Sequence, residues 1–135
     1  MNNVVSAVVH GSVAKDYFVD PKGNVWSTKQ KKPRRLKWHM GGGGYPTVSI
    51  SEGETPRTCY VHKIVCETFH KFPIPSGVTK NEWKETPDSV KAHVYKTFEV
   101  NHIDHDHENF HPSNLEWVSR MENLFKYQEH KKASK

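Results

Sequence analysis

A chain of 135 residues in which 20 Lys and Arg outnumber 15 Asp and Glu, for a net charge of +5, has the size of one domain with at most a small added module. Only 34% of its residues are apolar, so the core is modest and much of the surface is loop and charge. The chain has no run of about eighteen apolar residues, which argues against a membrane-spanning helix, and the first ten residues lack the basic start and long apolar stretch of a secretory leader.

The expectation from this opening is an intracellular, cytoplasmic protein with no membrane partner. From Ser12 to Ile50 the pattern predicts short strands and turns. Tyr17 to Val19 and Val25 to Ser27 flank Asp20-Pro21-Lys22-Gly23-Asn24, whose turn chemistry predicts a hairpin. Trp26 is expected in the core. A basic run follows, with Lys29, Lys31, Lys32, Arg34, Arg35 and Lys37, and with a pI near 9.2 it favours a polyanionic partner. Four glycines at 41–44 precede another candidate strand, Tyr45 to Ser51. Cys59 and Cys66 are too few for a disulfide framework and read as reduced, buried thiols.

The hydrophobic period then changes. Val61, Ile64, Val65, Thr68 and Phe69 fall on one face of a helix that Pro73 and Pro75 stop, with His62 packing at its start. Thr86-Pro87-Asp88-Ser89 reads as an N-cap with proline at the first helical position, and Val90, Val94 and Phe98 form the stripe behind it. A short strand from Glu99, a loop dense in His, Asp and Asn, and a strand at Leu115 to Val118 come next, Leu115 and Trp117 facing a small core and Glu116 facing solvent. Ser119 and Glu122 have the spacing of a capping box that opens a final helix.

The chemistry is concentrated between residues 100 and 123. A strand ending at Asn101-His102, a returning strand and a helix whose first turn carries Asn123 bring the Asn-His pair beside a second carboxamide. Phosphodiester hydrolysis at neutral pH needs an activated water, for which imidazole is suited, and a cation to neutralise phosphate charge. Mg²⁺ accepts oxygen ligands and keeps several waters, so two protein ligands suffice.

Asn101-His102-x-Asp104-x-Asp106-x-x-Asn109, then Asn114-Leu115-Glu116-Trp117-Val118-Ser119, then Glu122-Asn123, closely resembles the HNH endonucleases of the His-Me finger group, especially the small phage homing and nicking enzymes. Tyr60 to Phe69 resembles the helix that precedes this motif, and Tyr17 to Ser27 with Gly44 to Val48 is similar to the modular DNA-binding motif often found upstream. The resemblance implies an α+β fold: a β-rich DNA-contacting module over 1–58 and an HNH nuclease region over 59–135, with a ββα finger at about 99–132. It implies His102 as general base, Asn101 and Asn123 as metal ligands, and Asn114 holding the loop in register, so that His102, Asn114 and Asn123 form the catalytic set. Lys29, Lys31, Lys32, Arg34, Arg35, Lys37 and Arg120 are the candidate DNA contacts. The implied cofactor is one divalent ion, Mg²⁺ foremost with Mn²⁺ as a substitute and zinc less favoured, and the partner is double-stranded DNA, cut by a monomer or homodimer in the host cytoplasm if the gene is phage-borne.

The chain departs from the family pattern at four places. Asn101 stands where many relatives have Asp, and a carboxamide holds a hard cation less tightly than a carboxylate. His105 occupies a usual turn-glycine position, Phe110 replaces the second Asn of a pair, and Ser76 to Phe98 is longer than in the shortest relatives. Two other readings compete: a DNA-binding regulator with a decayed site, and a zinc-stabilised interaction module drawing on His102, His105, His107, His111 and the two cysteines.

Overall fold

The computed structural model describes residues 3–53 and 55–120. The fold is mixed α+β. The described residues of Met1–Lys71 and His102–Glu116 form one compact unit, and those of Phe72–Asn101 and Trp117–Lys135 a second.

The first unit begins with β1 (Val5–Val9), β2 (Ser12–Val19), β3 (Val25–Ser27) and β4 (Arg34–Arg35), hydrogen-bonded in that order as one antiparallel sheet. The hairpin predicted over Tyr17 to Ser27 is present, with Phe18 opposite Trp26. Its turn is built on one carboxylate: Asp20 accepts from the backbone N–H of Lys22 and of Asn24, from the Asn24 carboxamide and from the Trp26 indole, all within 2.9–3.0 Å. Trp26 is therefore half-buried and anchored to the turn. The β1–β2 hairpin was not anticipated. It closes through His10 and Gly11, both at positive φ (50° and 82°), and His-Gly is a weaker written signal than Asn-Gly for such a turn.

A second sheet joins β5 (His39–Met40), β6 (Pro46–Ser51) and β7 (Pro56–Tyr60). The helix α1 (Val61–Phe69) follows directly and buries Val61, His62, Ile64, Val65 and Cys66. It packs on β1, where the Thr68 hydroxyl accepts from Val8 N–H at 3.0 Å. Ala7, Val9, Ala14, Val19, Ile50, Ile64 and Val65 complete a core in which both cysteines are buried and free. Tyr17 ties the sheets together, its hydroxyl accepting from Ser51 N–H at 2.9 Å.

In the second unit, α2 (Lys80–Glu85) was not foreseen, although Thr79 and Glu82 make a full capping box. Thr86, expected to open the next helix, instead ends α2, its N–H bonding Trp83 O at 3.1 Å. Pro87 caps α3 (Asp88–Tyr95). Phe98 lies beyond that helix and opens β8 (Phe98–His102), so the Val90-Val94-Phe98 stripe is not a helical face, and Val90 is exposed. Packing here is aromatic. Phe72 stacks on Tyr95 at 4.1 Å and on Trp117 at 4.2 Å between ring centres. β8 pairs with β9 (Leu115–Ser119), on which Leu115 is buried and Glu116, expected in solvent, is half-buried. The backbone is helical at Arg120, while Glu122 and Asn123 lie outside the described residues.

Candidate active site

β8 ends at His102, and the chain returns to β9 through a loop closed by hydrogen bonds. Ile103 N–H donates to Asn114 O at 2.8 Å, and Asp104 N–H donates to Asn114 Oδ1 at 3.1 Å. The Asn114 carboxamide nitrogen donates in turn to Asp104 Oδ1 at 2.9 Å and to Asn109 O at 2.8 Å. Asn109 Nδ2 donates to Asp104 Oδ2 at 2.7 Å, and Asp106 N–H to Asp104 Oδ1 at 2.8 Å. Both oxygens of Asp104 are thus engaged, and these bonds hold its carboxyl below the usual carboxylate range. Asn114, only 9% exposed, spans the loop's two ends with one side chain.

His102 sits where this loop leaves the strand, 4% exposed, directly after the buried Asn101. A cluster of rings surrounds it. The centre of its imidazole is 5.2 Å from His62, 5.5 Å from His107 and 5.7 Å from Tyr45. Tyr45 stacks on His107 at 3.9 Å and 10°, and His107 Nδ1 lies 3.2 Å from Gly44 O, so the glycine run and the finger loop share a contact. Gly43 and Gly44 both hold positive φ (76° and 78°), which explains glycine at these two positions. Loss of solvent, reinforced by His107, pulls His102 down to about 4 against the opposing pull of Asp104 and Asp106. Burial, with His102 and Lys63 nearby, pulls His62 to about 3. Both rings are neutral at pH 7. Among the described residues, two buried side-chain atoms have no hydrogen-bond partner: His62 Nδ1 and His102 Nε2.

Sequence reasoning singled out His102 and Asn114, and the structure brings them to one loop. Sequence reasoning placed Tyr45 on a strand, His107 in the competing zinc set and His62 as a packing residue, and did not bring these three rings to His102. Phe110 carries further docking of the loop: its ring meets Trp38 edge-on at 6.3 Å, and its carbonyl packs against Gly23 so closely that a Cβ there would lie 2.2 Å away. His105, the departure from turn glycine, indeed adopts positive φ (62°).

The basic candidates lie elsewhere. Lys29, Lys31, Lys32, Arg34, Arg35 and Lys37 are all exposed, and Arg34, Arg35 and Lys37 line an open groove of about 360 Å³ together with Leu36, His39 and Ser49. The Lys29 amine meets Ser51 O and lies over the Tyr17 ring. Arg120 pairs with Glu99 at 3.1 Å. Among the described residues no three His, Cys, Asp or Glu side chains are grouped as metal ligands.

Residues 59–124 match the family described as HNH endonuclease. Over 111 residues the chain is 26% identical to the H-N-H endonuclease F-TflII of Escherichia phage T5, which covers 82% of this chain and 47% of that protein. A solved structure of DNA binding and cleavage by the HNH homing endonuclease I-HmuI is similar with a TM-score of 0.61 at 22% identity, over 86% of this chain and 53% of that one. The chain thus spans about half the length of both relatives, and the structural likeness speaks to the fold.

Proposed function

We propose, from the premise that residues 59–124 belong to the HNH endonuclease family, that this chain is a metal-dependent DNA endonuclease with His102 as its general base. The observation that carries the reading is a neutral imidazole held at the start of a loop which the Asn114 carboxamide braces at both ends.

The chain's own groups supply most of the chemistry. His102 Nε2 is sealed from solvent, so Nδ1 is the nitrogen that meets an incoming water. Nδ1 takes a proton from that water, the hydroxide oxygen bonds to phosphorus in line, and the bond from phosphorus to the 3′ oxygen breaks; that oxygen takes a proton from solvent, leaving 5′-phosphate and 3′-hydroxyl ends. The negative charge of the arriving phosphodiester raises the basicity of a desolvated imidazole, offsetting the low value of the free site. Asn114 positions the loop.

Carboxamide oxygens suit a hard divalent cation. By the resemblance, Asn101, which is buried, and Asn123 would supply the oxygen ligands, while the Asp104 carboxylate is engaged in the loop. When bound, such an ion, Mg²⁺ or Mn²⁺, neutralises charge on the phosphate and on the leaving oxygen.

Residues 1–58 act as the DNA-contacting module and 59–135 as the nuclease region. Lys29 to Lys37 and Arg120 contact duplex phosphates, which favours affinity that falls with salt. One finger makes one cut, so a monomer nicks, and a double-strand break takes a dimer or a second event. The site of action is the cytoplasm holding that DNA.

The test is conversion of supercoiled plasmid to nicked circle in Mg²⁺ or Mn²⁺. His102→Ala is expected to lower the rate about 10²–10⁴-fold, the usual contribution of a general base. Equal rates in the two proteins would reject the assignment.

A further inference from the structure

The two unpartnered buried atoms belong to neighbouring rings, His62 at the start of α1 and His102 at the end of β8, with centres 5.2 Å apart. Each is at least nine-tenths buried, His62 at 7% exposure and His102 at 4%. A buried polar atom without a partner is costly, and here two such atoms are on adjacent rings. An apolar ring at position 62 would avoid one of them.

The two atoms are complementary. For His102 Nδ1 to accept a proton from water, the neutral ring must carry its hydrogen on Nε2. That Nε2–H then faces the protein interior and needs an acceptor. His62 Nδ1 has a lone pair available in its neutral form with hydrogen on Nε2.

We infer that His62 is a positioning residue for the cleavage reaction: its Nδ1 accepts a hydrogen bond from His102 Nε2–H, fixing the tautomer and ring orientation of the base. The inference rests on the reading of His102 as general base. In the resting structure the bond is not made; the rings lie 5.2 Å apart between centres and tilted by 57°, so that forming it takes a rotation of the rings. When His102 Nδ1 takes the proton from water, His102 becomes an imidazolium and the His62 acceptor disperses its charge, with no proton leaving Nε2. Desolvation keeps His62 neutral across the pH range of the reaction and so keeps the acceptor available. The second histidine plays the part that a carboxylate or backbone carbonyl plays for many catalytic imidazoles.

His62→Phe separates this role from packing, because it retains a ring and removes the nitrogen. Its kcat for plasmid nicking is expected to fall about 10–100-fold with KM unchanged, as for loss of a group that orients a reacting ligand. Its Tm is expected to equal or exceed that of the parent. His62→Asn, which returns an acceptor oxygen near the Nδ1 position, is expected to recover part of the lost kcat per folded molecule. Ring ¹⁵N NMR supplies a readout independent of cleavage: the parent His102 is expected in the Nε2–H form, and the Phe variant in a mixture. Parental kcat in His62→Phe, or an Nδ1–H tautomer for His102 in the parent, would overturn the inference. Undiminished cleavage by His102→Ala would overturn the general-base assignment instead, whatever the tautomer spectra show.

Discussion

Asn114 shows how much one side chain does in this loop. Its oxygen accepts from Asp104 N–H while its nitrogen donates to Asp104 Oδ1 and Asn109 O. Asn114→Asp preserves the shape, removes both donated bonds and sets a second carboxylate against Asp104. With about 1.5–3 kcal/mol for a hydrogen bond to a charged group, a loss of about 2–4 kcal/mol is expected in urea unfolding, with slower nicking as the loop loses its register. A variant within 0.5 kcal/mol of the parent, about the scatter of a neutral surface change, would refute this account. The residues of this loop are legible in the sequence because Asn and Asp bond to backbone a few positions away. The pairing of His62 with His102 is not, because neither ring's neighbours in sequence reveal the other.

At the scale of elements, the β2–β3 hairpin and α1 follow from local pattern, and the failures, the β1–β2 hairpin among them, have local causes. The Thr79 and Glu82 box was there to be read, but the proline at 87 drew the helix start away from it. Contact between elements decides more. The Asp20–Asn24 turn holds Gly23 at φ +90° against the Phe110 carbonyl, whereas Gly11 has a similar φ of +82° and nothing within 4 Å of its missing Cβ. Alanine at either position meets the same backbone strain, about 1–2 kcal/mol, and only Gly23→Ala adds a backbone collision. Gly23→Ala is therefore expected to unfold at lower urea than Gly11→Ala by at least about 1 kcal/mol, within the usual 1–3 kcal/mol range for overpacking. Equal stabilities would mean that the turn does not bear on the finger loop.

Across the whole molecule the buried histidines link stability to acid. His62 titrates near 6.5 in the unfolded chain and near 3 in the fold, lowered by desolvation and then by His102, Lys63 and His107. Between those values the unfolded chain binds the extra proton, so stability is complete above about pH 6.5 and declines as pH falls toward 3. The slope for one such group approaches 1.4 kcal/mol per pH unit. Between pH 7 and 5 the parent is expected to lose about 1–2 kcal/mol more than His62→Phe, measured by urea unfolding at both values, and parallel losses would show that His62 is not held neutral by the fold.

The sequence alone pointed to the α+β class, the Asp20 turn and the run of residues that resembles the HNH endonuclease pattern, because these are written in residues close together along the backbone. Tertiary structure decided which rings surround His102, which glycine admits the Phe110 carbonyl and where the second aromatic core assembles. Those outcomes depend on burial, and burial is set only when segments distant in the chain exclude water from one another.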